Sequence, residues 1–311
     1  GKMSLKNLKG RHFLSDFDLS AEEYLEVLDL AEKMKSGKVK KKLTNKSLVM
    51  LFQKPSTRTR LSFEIGMTRL GGHAVFVDIS TTQLGRGETI ADTARVMARY
   101  ADLIMARLNS QKDLEEIAKY SKVPVINALT DMFHPCQVMA DLLTVKEKKK
   151  RIAGLKIAFL GDCGFNMFNS TAIAFSKLGA DVYGGCPDKP EYRIKPELLE
   201  RALKDAKGKI VLTTDPVEAV KDADVVMTDT WVSMGQKDEE KRIRDLSPYQ
   251  VNPALMKHAK PDAIFMHCLP AHRGHEVVDE VADSPQSVIF DQAENRLHAQ
   301  NAIMVALLGK G

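Results

Sequence analysis

"LFQKPSTRTRLSFE", Leu51 to Glu64, is the stretch from which the fold is read. An apolar run ends at Phe52, and Ser56, Thr57, Arg58, Thr59 and Arg60 then supply three hydroxyls and two guanidinium groups before an amphipathic segment begins. A strand, such a loop and a helix in that order put the helix's unpaired N–H groups and positive dipole end beside the loop, where an anion is stabilised. Arg58 adds a bidentate fork that matches phosphate or carboxylate. A simple helix cap with surface arginines is the alternative. Two arginines at i and i+2 with hydroxyls between them favour the anion site.

Short apolar or β-branched runs recur outward from this stretch, at Ser47 to Phe52, His73 to Asp78, Asp102 to Arg107 and Val123 to Asn127. A lysine-rich helix end at Lys148 to Arg151 precedes a second series. Its strands are expected at Leu155 to Asp162, Ala180 to Gly185, Lys209 to Thr214, Asp224 to Thr230, Ala263 to Leu269 and Ser287 to Gln292. Amphipathic segments separate the runs, and that alternation implies parallel sheets covered on both faces. The expected fold class is therefore α/β, with two doubly wound parallel-sheet domains over residues 1–150 and 151–290 and a hinge near residue 150. Residues 291–311 read as a C-terminal helix packing back on the first domain. Ahead of the first strand, Ser20 and Glu23 make a capping box for a helix that Gly37 stops.

Ligands of open α/β sheets bind beyond the carboxyl ends of the strands. Polar clusters stand at those ends: Arg107, "HPCQ" (His134 to Gln137), Asp229 in "DTWVSMG" and Cys268 in "HCLP". A neutral His134 imidazole donates to a carbonyl oxygen and Gln137 holds an amide from both sides, although a lone His–Pro turn is more often structural. Asp229 and Ser233 stand four apart, a spacing that suits an ammonium and a carboxylate. A buried, inert thiol is the commoner account of Cys268 taken alone. Leu269–Pro270 is a position for a cis peptide bond.

Composition narrows the classes further. The chain has 311 residues and is 44% hydrophobic, enough for two cores, and no window approaches the roughly 20 apolar residues of a membrane span. Its net charge of +5 lies in short lysine clusters without interleaved aromatics, so neither a nucleic-acid partner nor a membrane is expected. The N-terminus lacks the apolar core of a signal peptide, and four cysteines without a CxxC pair fit a reducing compartment, so a cytoplasmic location is expected.

"FQKPSTRTRLSFE", "QLGRGETIADTARVMARYAD", "FHPCQVMAD", "DTWVSMG" and "HCLPAHRGHEV" together resemble the carbamoyltransferase family, and the last two resemble its ornithine-using branch. The similarity runs from about Leu5 to Leu308, with the motifs in order. The resemblance implies transfer of the carbamoyl group of carbamoyl phosphate to the δ-amine of L-ornithine, giving L-citrulline and phosphate, with no metal and no organic cofactor. It implies that Ser56, Thr57, Arg58 and Thr59 cradle the phosphate, that Arg107, His134, Pro135, Cys136 and Gln137 hold the carbamoyl group, and that Arg58 and His134 polarise its carbonyl. Gln83 matches a position that reaches the phosphate of a neighbouring subunit, which implies a homotrimer or a multiple of trimers with shared active sites, and Cys268, Leu269 and Arg296 complete the pocket. Asp229, Ser233 and Met234 match ornithine-binding positions, with Asp229 and Cys268 orienting and deprotonating the amine. The chain reads "GDCGFNMFNS" where the family has one residue fewer, which aligns Asn166 with the ligand asparagine.

Other acceptors within the family, namely aspartate, putrescine and N-acetylornithine, remain open at this level. A nucleotide-dependent oxidoreductase is the alternative of another class, raised by "FLGDCG", although Gly161 and Gly164 alone do not make the dinucleotide fingerprint. An inactive binding protein of the same fold is a third; its signature would be loss of Arg58, Arg107 or His134, all present.

Overall fold

The computed structural model describes residues 5–81, 87–233 and 236–310. Two compact units form, one of Gly1–Leu143 with Glu294–Gly311 and one of Thr144–Ala293. The division falls inside two helices rather than at a loop.

In the first unit, α1 (Ala21–Ser36) precedes β1 (Ser47–Phe52), α2 (Thr57–Arg69), β2 (His73–Asp78) and α3 (Ile90–Tyr100). Next come β3 (Leu103–Arg107), α4 (Gln111–Tyr120), β4 (Val125–Leu129) and α5 (Pro135–Lys149). The sheet order is β2-β1-β3-β4, and every pair is parallel. The capping box of α1 is present: Glu23 N–H donates to Ser20 Oγ, and Ser20 N–H to the Glu23 carboxylate. Gly37 ends the helix in the left-handed conformation that a Cβ disfavours. The fourth strand begins two residues later than the sequence indicates, because Pro124 has no N–H to give the ladder.

In the second unit, β5 (Lys156–Leu160), α6 (Asn166–Lys177), β6 (Asp181–Gly185), α7 (Pro196–Asp205) and β7 (Ile210–Thr213) are followed by α8 (Pro216–Val220) and β8 (Val225–Thr228). Then come α9 (Glu239–Leu246), α10 (Pro253–Met256), β9 (Ile264–His267), α11 (Asp279–Ala282) and α12 (Ile289–Leu307). The sheet runs β7-β6-β5-β8-β9, again all parallel. Its core packs Ala158, Leu160, Val226 and Phe265 against Val220, Val251 and Ile289. Among the described residues no helix is long and apolar enough to cross a membrane.

One strand expectation fails. Ser287 to Gln292 makes a single bridge, Ser287 to Phe265, and from Ile289 the chain is helical. The physical reason is the spacing of the buried residues Ile289, Gln292, Arg296, Ala299 and Ile303, at intervals of three and four, which form one face of a helix and no face of a strand.

Both sheets reverse winding at their centre. In the first unit the connection from β1 leads to one side and that from β3 to the other, so the ends of β1 and β3 flank the topological switch point. In the second unit β5 and β8 flank it. Loops diverge there and leave a crevice open to ligands.

Candidate active site

Phe52 and Arg107 are paired neighbours at the ends of β1 and β3, so the register itself sets the Ser56–Thr59 turn beside Arg107. Ser56 caps α2: its Oγ accepts the Thr59 N–H at 3.2 Å and donates to Thr59 Oγ1 at 3.1 Å. The N–H groups of Thr57 and Arg58 open the helix and have no intrahelical acceptor. Arg58 is half-buried and, among the described residues, makes no hydrogen bond or ion pair, which leaves its fork open. Arg60 departs from the two-arginine reading. Two residues on, it faces away along the helix, with its guanidinium 3.8 Å above the Phe76 ring and 3.5 Å from the Glu64 carboxylate.

Helix α12 supplies the keystone of this half. Arg296 is buried and donates from Nη2 to Thr59 Oγ1 at 3.0 Å, from Nη1 to Gln137 Oε1 at 2.9 Å, and from Nε to Gln300 Oε1 at 2.8 Å. Gln137 passes the chain on, donating from Nε2 to Asp141 at 2.9 Å. His134, at the head of α5, is buried. Burial first, then the positive charges of Arg296 and Arg107, hold its imidazole well below the usual histidine range, so it is neutral. Burial also lowers the half-buried Lys54 ammonium, and Arg107 adds to this against the pull of Asp131. Pro135 is the first residue of α5 and buried. The Cys136 thiol is fully buried, pushed up to about 12 by that burial, and donates to the Asn127 carbonyl at 3.4 Å.

The second unit builds its own cluster. Thr228 pairs with both Leu160 and His267 across the sheet, so Asp229 and Cys268 leave adjacent strand ends together. Cys268 Sγ donates to Asp229 Oδ1 at 3.2 Å, and the Thr230 N–H donates to the same oxygen at 2.8 Å. Burial pushes the Asp229 carboxyl above the ordinary aspartate value. The thiol therefore acts as a polar partner of the carboxylate, not as inert packing. Leu269 stands in the left-handed region at φ 61°, a conformation costing a residue with a Cβ roughly 1–2 kcal/mol, and the peptide bond to Pro270 is cis.

The "GDCGFNMFNS" loop is held by a bridge. Cys163 pairs with Arg193, its N–H donating to the Tyr192 carbonyl at 2.9 Å. Gly164 sits so close to this segment that a Cβ would come within 2.6 Å of the Glu191 carbonyl. Asn166 then opens α6 and is buried. Asp162 Oδ1 accepts the Gly164 N–H at 2.8 Å and Oδ2 the Arg242 guanidinium at 2.5 Å, tying this loop to α9. The Ser233 N–H donates to Gln236 Oε1 at 2.6 Å.

Residues 11–147 match the family described as aspartate/ornithine carbamoyltransferase, carbamoyl-P binding domain, and residues 153–307 its Asp/Orn binding domain. The chain belongs to the aspartate/ornithine carbamoyltransferase family. Within it, the chain is 54% identical over 311 residues to an ornithine carbamoyltransferase of Thermococcus kodakarensis, covering 97% of this chain and 98% of that protein. An anabolic ornithine carbamoyltransferase of Pyrococcus furiosus is 52% identical, with 97% of this chain and 98% of that protein covered. A solved structure of the Pyrococcus furiosus ornithine carbamoyltransferase superposes with a TM-score of 0.91, at 52% identity over 97% of this chain and 98% of that one.

Of the carbamoyltransferase positions named from sequence, Thr59, Gln137 and Arg296 are joined by direct hydrogen bonds in the first unit, and Asp229 and Cys268 in the second. Gln83 and Met234 lie outside the described residues. Asp141, Gln236, Arg242 and Glu276 are not among the residues named from sequence: Asp141 lies one helical turn beyond Gln137 and Gln236 three residues beyond Ser233, whereas Arg242 meets Asp162 across 80 residues and Glu276 meets His267 across the loop between them. The one group of metal-donor type among the described residues is Asp229, His267 and Cys268, with donor atoms within 4.8 Å of one another. Both His267 ring nitrogens are already engaged there, by Glu276 and by the Leu269 N–H.

Proposed function

We propose that the protein is an ornithine carbamoyltransferase, transferring the carbamoyl group of carbamoyl phosphate to the δ-amine of L-ornithine to give L-citrulline and phosphate. The observation that carries this reading is the first unit's convergence of an open Arg58 fork, free α2 N–H groups and a neutral His134, in residues matched by the carbamoyl-P binding domain. In this reading Ser56, Thr57, Arg58 and Thr59 hold the phosphate, while Arg107, His134 and Gln137 hold the carbamoyl group, with Arg296 fixing Thr59 and Gln137 in place.

A δ-ammonium has no lone pair, and its lysine-like pKa of about 10.4 leaves little free amine near neutrality. Asp229, its carboxyl raised by burial, and Cys268 orient the amine and take its proton. The amine nitrogen then bonds to the carbamoyl carbon, Arg58 and His134 stabilise the oxyanion, and the bond to phosphate breaks as phosphate leaves and is protonated. Asn166, Ser233 and Met234 hold the amino-acid end of ornithine.

We assign the biosynthetic direction, the one named for the anabolic relative, and a cytoplasmic setting, which four cysteines held as thiols support. A homotrimer is the assembly we propose. Exposed apolar side chains on the first unit, Leu61, Ile65, Val75, Val96 and Tyr100, support a partner surface around its edge strand β2. Light scattering at working concentration checks it; a monomer would refute it.

The experiment on the activity measures product from carbamoyl phosphate with ornithine, aspartate, putrescine and N-acetylornithine as separate acceptors. Turnover with ornithine alone is expected. Turnover with another acceptor would keep the carbamoyl phosphate assignments and overturn those of Asp229, Ser233 and Met234.

A further inference from the structure

We infer that the buried His267–Glu276 pair is a positioning device that fixes the backbone of Cys268 and Leu269 in register with Asp229; the inference rests on the carbamoyl-transfer reading. His267 ends β9, with its side chain 1% exposed and that of Glu276 0%. The imidazole is used at both nitrogens: Nδ1 accepts the Leu269 N–H at 2.8 Å, and Nε2 donates to Glu276 Oε2 at 2.7 Å. The same carboxylate oxygen accepts the His272 N–H at 2.9 Å, so Glu276 clamps both limbs of the loop that carries "HCLPAHRGHE". Glu276 is itself anchored, its carbonyl accepting the Val251 N–H at 2.9 Å beside the buried Val277. The other side of His267 is held by its own N–H, which donates to Gln292 Oε1 at 2.9 Å.

The geometry dictates the tautomer. A carboxylate only accepts, so the ring proton stays on Nε2 and Nδ1 stays free to accept from Leu269. Without that carboxylate the imidazole is free to carry its proton on Nδ1, which would set two donors against each other at Leu269. The left-handed Leu269 backbone persists only where its surroundings over-determine it, and the Nδ1 acceptor supplies one such constraint. Releasing Leu269 releases the adjacent Cys268, whose thiol is the side-chain donor to Asp229 Oδ1. Apolar side chains would fill the same buried space without desolvating a charge. They would offer Leu269 no acceptor.

Three proteins test this: the parent, Glu276→Ala and Glu276→Gln. Gln keeps an oxygen that accepts from both His267 and His272, whereas Ala removes it. Glu276→Ala is expected to lower kcat for citrulline formation by about 100-fold, the scale of a misplacement of about 1 Å. Binding of inorganic phosphate, followed by calorimetry and assigned to the first unit, stays unchanged, and Glu276→Gln recovers most of the loss. Nitrogen NMR shifts of the parent's His267 ring are expected to report a protonated Nε2 and a bare Nδ1. An unchanged kcat in Glu276→Ala, equal loss in both variants, loss of phosphate binding in step with kcat, or an Nδ1-protonated ring would each overturn the inference. If Glu276→Ala does not fold, the Gln variant and the parent's ring tautomer decide. A parent that forms no citrulline fails the transfer reading, whereas an active parent indifferent to Glu276→Ala fails the positioning role alone.

Discussion

Arg296 Nη2 stands 3.0 Å from Thr59 Oγ1, joining the last helix to the first turn of α2 across 237 residues of sequence. The same guanidinium donates to Gln137 and Gln300, so its loss leaves buried acceptors without donors. Arg296→Leu is expected to destabilise the fold by on the order of 3 kcal/mol and to raise KM for carbamoyl phosphate. Urea unfolding and initial-rate kinetics measure the two effects; a stable variant with an unaltered KM contradicts the assignment.

The open fork of Arg58 and the Ser56 cap act differently. Arg58→Ala removes a donor to developing charge and should cut turnover by about 100-fold or more, with little change in melting temperature. Ser56→Ala deprives the Thr59 N–H of its acceptor and should cost about 1 kcal/mol of stability as well as activity. Equal thermal stability of the two variants would argue against the cap.

Asp229 and Cys268 share a hydrogen bond through Asp229 Oδ1. Asp229→Asn keeps the shape but not the base, and a fall in kcat of about 100-fold is expected. Cys268→Ser leaves a hydroxyl donor to Asp229 yet alters proton removal, so its pH–rate profile should shift. A profile that overlays the parent's would return Cys268 to a packing role.

The pH dependence of stability separates the buried groups. His134 is held well below 6.5 in the folded protein, so as pH falls below 6.5 the unfolded chain binds a proton that the native state refuses. Stability from this residue is complete above 6.5 and is lost as pH drops toward the folded value. Asp229 works oppositely: raised above 3.8, it keeps its proton longer when folded and loses stability as pH rises through its folded value. His134→Asn is therefore expected to flatten the acid limb of urea midpoints between about pH 5 and 6.5. An unaltered limb would show that other groups carry it.

Much of the fold was legible locally. β1, β2 and the capped α1 fall where the sequence reading puts them, because strand and helix periods and a Ser–Glu box are properties of short windows. The Ser287 to Gln292 run was ambiguous for the same reason. A short apolar window is compatible with a strand, and only the burial of Gln292, Arg296 and Ala299 along one face makes it a helix.

By itself the sequence determined the alternating α/β order, the anion-type turn at Ser56 to Thr59 and the polar residues at the strand ends, since each is encoded within a few consecutive residues. Only the tertiary structure decided that Thr59, Gln137 and Arg296 converge across separations of 159 and 237 residues, and that Arg60 turns away onto Phe76. Hydrogen bonds between distant residues depend on which elements the packed sheets bring together, and no local window holds both partners.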